Sequence, residues 1–229
     1  MTQMACLSVG LLTLVGVWFF PLGSVVPGPF SAHMTMHMAV VAVAAPLITL
    51  GLAGGKFDPV PRAPLLFSAI PASVVELVVV WSWHTPALHH AARHVTWLTV
   101  LEQGMFLTSG LLVWLSAFGG QPQERAKRGG SGVMALLLTS MHMTLLGALL
   151  ALPPRPLYTH PHHTPGGLDA LDDQHLGGAI MLLVGGVVYL AGGLWLTWQL
   201  LQLRAEISEH DSNDQVPGVT SSIQARGES

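Results

Sequence analysis

The chain has 229 residues, of which 51% are hydrophobic and only 9% are charged, and its formal net charge is -3. An ordinary soluble domain carries about a quarter charged residues, so this composition excludes a soluble enzyme as the default class. The small net charge, without a basic patch interleaved with aromatic residues, also excludes nucleic-acid binding.

Six apolar stretches divide the chain. Each is long enough, or nearly so, to cross about 30 Å of hydrocarbon as a helix that rises about 1.5 Å per residue. They lie at about 4–20, 31–52, 64–83, 97–118, 132–152 and 176–201. The first is short, but it lacks the positive flank and the small-residue cleavage site of a signal peptide, so we expect a retained helix. The sequence therefore predicts an all-α, polytopic transmembrane bundle of about six spans.

The distribution of basic residues orients this bundle. Alternation through six spans places seven of the nine Lys and Arg residues on one side, namely Lys56, Arg62, Arg125, Lys127, Arg128, Arg204 and Arg226. The positive-inside rule makes that side cytoplasmic and places both termini there. We expect one transmembrane domain over residues 1–203. Residues 204–229 lack apolar periodicity and predict a polar, disordered cytoplasmic tail.

Metal ligands in this chain must come from residues other than cysteine. Cys6 is the single cysteine, which excludes a thiolate pair, whereas the chain has twelve histidines and ten methionines. On the predicted topology ten histidines gather at the outer face, and only His142, in span 5, and His210, in the tail, fall elsewhere. Six of the ten lie in outer loops, as ligands, as a collecting antenna or as tolerated interfacial residues: His89, His90, His94, His160, His162 and His163.

Two histidines of the second span form the sharpest local pattern. His33 and His37 are four residues apart, so they share one helical face on which two imidazoles can converge on one ion. Met34 and Met38 run beside them, and His142 is itself flanked by two methionines. Copper, especially Cu(I), accepts such a mixture of imidazole and thioether. The alternative is structural, because methionine readily fills irregular apolar gaps.

Further polar residues near the outer face complete the predicted site. His84 closes span 3, and Glu102 lies in span 4 at a depth similar to that of His37, where it is a ligand or orients an imidazole. Asp173 and His175 precede span 6, where the acidic group is a ligand or a helix cap. We therefore predict a metal site formed from His33, His37, His84, His142, Glu102, Asp173 and His175.

Glycine and proline also carry structural information. Three glycine pairs in span 6, at 177–178, 185–186 and 192–193, predict close packing against other helices. Pro46 and Pro71 lie inside spans 2 and 3, where they predict kinks that free backbone carbonyls.

The His33 motif belongs to a longer pattern. It runs Phe30-Ser31-Ala32-His33-Met34-x-x-His37-Met38 and continues with Ala45-Pro46-Leu47, Leu50-Gly51, His84-x-Pro86-x-Leu88, Glu102, Gly147-Ala148, Pro156-Leu157-Tyr158 and Asp172-Asp173-Gln174-x-x-Gly177-Gly178 with Met181. This pattern, from about residue 28 to residue 195, resembles the CtaG-type family of multi-span cytochrome c oxidase assembly factors.

The resemblance implies an integral protein of the prokaryotic plasma (inner) membrane that helps to mature a haem–copper oxidase by handling copper on the outer side. It implies haem–copper oxidase subunits or another respiratory complex as partners, and it does not imply an established catalytic reaction. The chain departs from the family in span 4, where Thr99-x-x-Glu102-Gln103 replaces His-x-x-Glu-His, while His142 and His175 are additions. The family often has seven spans, which leaves room for one more than we count.

The leading hypothesis is a copper-handling assembly factor, not an enzyme, with copper in a His/Met-rich site near the outer face. A respiratory redox subunit that carries haem or copper is the alternative. His37 and His142 lie on different spans and are suited to hold a haem from two sides, whereas His33 and His37 share one helix. A copper or proton permease ranks last, because the polar residues concentrate in the outer half of the membrane.

Overall fold

The computed structural model describes residues 3–158 and 168–214, where all regular structure is helical and no strand occurs. Helices α1 to α6 comprise Gln3–Phe19, Pro29–Leu52, Ala69–Trp83, Pro86–His94, Thr96–Phe118 and Pro122–Ala151. The last helix, α7, comprises residues 170–214. Two 3-10 turns, Leu22–Ser24 and Val60–Arg62, lie in the connections. The predicted all-α class is confirmed.

Four helical segments are long and apolar enough to cross a membrane, namely Pro29–Leu52, Thr96–Phe118, Lys127–Ala151 and Ala170–Glu206. Gln3–Phe19 and Ala69–Trp83 are apolar but shorter. The length and composition of these helices support a membrane protein. The count of six spans and the cytoplasmic position of both termini remain predictions.

The outer loop predicted after span 3 contains a helix. Thr85 has extended backbone angles and Pro86 takes the first helical position, where its fixed φ and missing N–H favour a helix start. The helix that follows, α4, buries His89 and Ala92. Three histidines assigned to this loop therefore lie on a helix. The other outer-loop histidines, His160, His162 and His163, lie outside the described residues.

Two predicted boundaries differ from the structure. α3 begins at Ala69 and not at residue 64, because a turn closed by bonds to the Ala63 carbonyl precedes it and buries Phe67 against Val60. α7 continues to Asp214, so residues 204–214 are helical and do not belong to a disordered tail. Strong helix formers fill positions 200–206, so the helix does not end with the apolar stretch. Residues 215–229 of the predicted tail lie outside the described residues.

Pro46 shapes the middle of α2. A π-helical turn directly precedes it, and the proline has no N–H to donate to an upstream carbonyl. The Val41 carbonyl accepts instead from the Trp114 indole N–H at 3.0 Å, and the Tyr189 hydroxyl lies 3.3 Å away. Tyr189 donates its hydrogen to Glu76 Oε1 at the shorter distance of 2.6 Å. These bonds tie α2, α3, α5 and α7 together and give Glu76 a structural partner.

Methionine and glycine hold α2 against α7. A Cβ placed on Gly177 would lie 3.0 Å from Met34 Cγ, and one placed on Gly185 would lie 3.5 Å from Met38 Sδ. In the His-Met motif, which comprises His33, Met34, His37 and Met38, the two methionines therefore fill the interface between these two helices. The packing role predicted for the glycine pairs is confirmed at these positions.

Gly178→Ala is expected to destabilise the bundle. The new Cβ would lie 2.5 Å from the Ala151 backbone nitrogen, which cannot move without shifting α6. Overpacking of this kind costs about 1–3 kcal/mol of the free energy of unfolding. The control is Gly104→Ala, whose Cβ would meet nothing within 4 Å. Thermal unfolding in detergent, followed by circular dichroism, measures both, and equal midpoints would contradict the close approach of α6 and α7.

Candidate metal site

Five polar side chains from four parts of the bundle meet in one buried cluster. His33 and His37 come from α2, His84 directly follows α3, His89 comes from α4 and Glu102 comes from α5. Their exposed fractions lie between 0% and 4%. We call these five residues the histidine cluster. Because they come from separate helices, only the folded bundle brings them together.

Three members of the histidine cluster are placed to hold a metal ion. One ligand atom each from His33, His89 and Glu102 lies within 4.8 Å of the others. His33 Nε2 is 3.8 Å from Glu102 Oε1. Imidazole nitrogens and carboxylate oxygens bind zinc-like ions at about 2.0–2.2 Å. These three donors are therefore close enough to be candidate ligands of one ion.

Glu102 uses one oxygen for orientation and presents the other to the cluster. Its Oε2 accepts from the Arg93 guanidinium and from Gln103 Nε2, the latter at 3.5 Å. Its Oε1 has no hydrogen-bond partner among the described residues and is the oxygen closest to His33. Arg93 also balances the carboxylate, whose isolated charge would be strongly disfavoured in an apolar bundle. Arg93 therefore compensates the charge of Glu102, and its bond to Oε2 leaves Oε1 facing His33.

The tautomer of His84 is fixed by its own helix. Its Nδ1 lies 2.6 Å from the Val80 carbonyl, which only accepts hydrogen bonds, so Nδ1 carries the proton. Nε2 then keeps its lone pair and has no hydrogen-bond partner in the described part of the chain. The His84 ring centroid is 5.2 Å from that of His37 and 6.0 Å from that of His33. A backbone bond of this kind fixes the tautomer of metal-binding imidazoles.

Aromatic rings surround the histidine cluster. The Tyr158 hydroxyl donates to the His84 carbonyl at 2.5 Å. Burial raises the pKa of Tyr158 to about 12, so this hydroxyl remains a donor. Phe30 stacks on Tyr158 with ring centroids 4.5 Å apart, and Phe106 lies 4.0 Å from the His37 ring. These rings exclude water and strengthen electrostatic interactions inside the cluster.

Several donor atoms of the cluster lack partners. Both ring nitrogens of His33 and His37, together with His84 Nε2 and Glu102 Oε1, make no hydrogen bond within the described ranges. An unsatisfied buried polar group costs about 1–3 kcal/mol, so such groups are rare and require an explanation. Their concentration in one place fits a site that a metal ion completes.

The sequence interpretation missed His89 and Arg93, which were assigned to a loop. A signal was present. Thr85-Pro86 marks a helix start, and His89 and Arg93, which follow it, are four residues apart, so they lie on one face of that helix. The Thr99 hydroxyl donates to the Ala92 carbonyl and fixes α4 on α5. This contact turns the face with His89 and Arg93 toward the cluster.

Two predicted ligands have structural partners elsewhere. Asp173 accepts from the backbone N–H groups of Phe30 at 2.8 Å and Ser31 at 2.9 Å, so it caps α2 from the first turn of α7. His175 Nε2 donates to the Pro153 carbonyl at 2.9 Å. These bonds account for both residues without a metal ion.

His142 is buried in α6, and neither ring nitrogen has a hydrogen-bond partner in the parts of the chain that are described. Within these parts of the chain, the ring contacts that connect His33, His37 and His84 do not include His142. Its part in a metal site stays a prediction.

Comparison with known families identifies the family of this chain. The model of the cytochrome c oxidase caa3 assembly factor family matches residues 1–202. The chain belongs to this family. The resemblance found in the motifs is thereby confirmed, and the family's general role is oxidase assembly. Neither a curated protein nor a solved structure matches the chain.

Thr99 and Gln103 of α5 lie beside the histidine cluster. Gln103 donates to Glu102 Oε2, and the Thr99 hydroxyl donates to the Ala92 carbonyl of α4. Gln103 therefore helps to position Glu102, and Thr99 helps to position α4.

Asp173→Ala tests the cap. The substitution leaves the Phe30 and Ser31 N–H groups without their charged acceptor, so we expect the free energy of unfolding to fall by about 2 kcal/mol. Unfolding in detergent measures this loss. Asp172→Ala, at an exposed neighbouring position, is the matched control. A variant that keeps its stability but loses bound metal would contradict the capping role and restore Asp173 to the ligand set.

Proposed function

We propose that this assembly factor binds copper in the histidine cluster and passes it to a haem–copper cytochrome c oxidase. The observation that carries the proposal is the convergence of His33, His84, His89 and Glu102 in one buried cluster. Membership of the oxidase assembly family supports the partner. The donor atoms support the metal, because nitrogen and carboxylate oxygen are transition-metal ligands.

The donor set differs from the one predicted. Met34 and Met38 pack against α7, so the cluster offers imidazole and carboxylate in place of a His/Met mixture. Imidazole alone suits copper, zinc and iron. A haem–copper oxidase must acquire a copper centre during assembly. An oxidase partner therefore favours copper over zinc and iron as the ion bound by the cluster.

Copper is cargo in this proposal, so the site has to release it as well as bind it. Imidazole and carboxylate ligands exchange without the enclosure that several thiolates impose, and the chain has one cysteine. Glu102 remains paired with Arg93 when no copper is bound, so release does not leave an isolated carboxylate in the bundle. The cluster includes the first turns of α2, which the positive-inside rule assigns to the outer face.

Metal content and the visible spectrum test the proposal. Protein purified in detergent from cells supplied with copper, iron and zinc is expected to contain stoichiometric copper and no haem band. His33→Ala/Glu102→Gln should remove the stoichiometric copper from the purified protein, because it removes two of the three donors whose ligand atoms lie within 4.8 Å of one another. His175→Ala should retain it, since that ring bonds to the Pro153 carbonyl. A haem band lost on His37→Ala or His142→Ala would instead support the redox subunit.

The oxidase itself provides a second test. In cells whose only copy is the His33→Ala/Glu102→Gln variant, we expect the partner oxidase to contain haem but little copper, because its copper donor is lost. Copper and haem are measured on the purified oxidase, and an immunoblot confirms that the variant reaches the membrane. A normal copper-to-haem ratio in a reduced amount of oxidase would contradict copper delivery and indicate assembly by contact alone.

A further inference from the structure

A cavity of about 350 Å³ borders α4 beside the histidine cluster. Its lining includes His89, His90, Arg93 and His94 from α4, and Tyr158 from the segment after α6. A volume of this size admits a hydrated metal ion. The proposed function assigns a role to His89 alone among the three histidines of this lining.

His90 and His94 form an exposed pair in this cavity. They are four residues apart on α4, and their ring centroids are 4.3 Å apart. Imidazoles separated by one helical turn can bind the same ion. Two protein ligands leave the remaining coordination positions of the ion to water, so the ion binds weakly and exchanges readily. Such a pair is suited to capture an ion and not to store it.

His89 borders both the cavity and the histidine cluster. It lines the cavity, while one of its ring nitrogens lies within 4.8 Å of ligand atoms of His33 and Glu102. Its ring centroid is 4.9 Å from that of His33. The same short helix therefore carries an outward histidine pair and an inward metal ligand.

Arg93 also lines the cavity and would repel a cation if its charge were uncompensated. Its guanidinium forms an ion pair with Glu102, so the two formal charges cancel beside the cavity. The histidine lining then dominates the chemistry of the cavity, and that lining attracts a transition metal.

We propose that this cavity is the route by which copper reaches the histidine cluster, with His90 and His94 capturing the ion before it moves to His89, His33 and Glu102. The inference rests on the proposed copper function of the cluster. The transfer is a ligand exchange, in which each new bond from copper to nitrogen or oxygen replaces a bond to imidazole or water. The oxidation state of copper does not change.

The capture pair is tested first with the inner site weakened. In the His33→Ala/Glu102→Gln variant, added Cu²⁺ is expected to show the electron paramagnetic resonance signature of imidazole nitrogen coordination. Addition of His90→Asn/His94→Asn should lower the intensity of that signature, because His37, His84 and His89 are the imidazoles that remain near the cavity, and circular dichroism confirms that the helices remain. An intensity that these two substitutions leave unchanged would overturn the capture site.

The route is tested by the rate of loading in the otherwise unchanged protein. Clefts that raise the local concentration of a charged species increase association rates by about tenfold or more, and we expect a gain of similar size from ligands that hold the ion at the opening. We therefore expect His90→Asn/His94→Asn to take Cu⁺ from its bicinchoninate complex about tenfold more slowly and to reach the same final copper content. The control is His175→Asn, which should load at the normal rate.

The outcomes separate the two proposals. Equal loading rates, or a lower final content in the His90→Asn/His94→Asn variant, would overturn the capture role. Absence of copper from the cluster of the unchanged protein would overturn the proposed function, while the resonance signature of Cu²⁺ would still decide whether His90 and His94 bind the ion.

Discussion

The ion pair between Arg93 and Glu102 is the interaction on which the histidine cluster depends. The Glu102 side chain is fully buried in an apolar bundle, and Arg93, whose side chain is 23% exposed, supplies its counter-charge. The pair fastens α4 to α5 and leaves Glu102 Oε1 facing His33. Loss of either partner would leave an uncompensated charge, which is far more costly than the pair itself. One contact thus balances charge, positions α4 and directs a ligand atom.

Local rules predicted part of this arrangement and could not predict the rest. His33, His37 and Glu102 were predictable, because helical spacing and the cost of a charge at membrane depth are properties of short stretches. The helix that carries His89 and Arg93 has a start signal at Thr85-Pro86, but the direction in which its face points has none, since α4 has only nine residues and a polar sequence. Its orientation depends on tertiary contacts such as the bond from the Thr99 hydroxyl to Ala92.

The His-Met motif shows how one pattern serves two interfaces. The hydropathy of the chain correctly predicted helices, but adjacent residues on a helix point about 100° apart. His33 and His37 therefore face the cluster, while Met34 and Met38 face α7. The motif suggested a shared copper site because linear proximity does not reveal which neighbouring helix each side chain meets. That information belongs to the packed bundle.

The cap on α2 also bears on the order in which the protein is made. Asp173, which accepts the N–H of Phe30, follows it by 143 residues. All five residues of the histidine cluster are synthesised before it, so a nascent chain can contain every ligand and still lack the cap that fixes the first turn of α2. The cluster whose residues emerge early is therefore completed only after α7 has been synthesised. A partly translated chain does not offer the same cluster geometry.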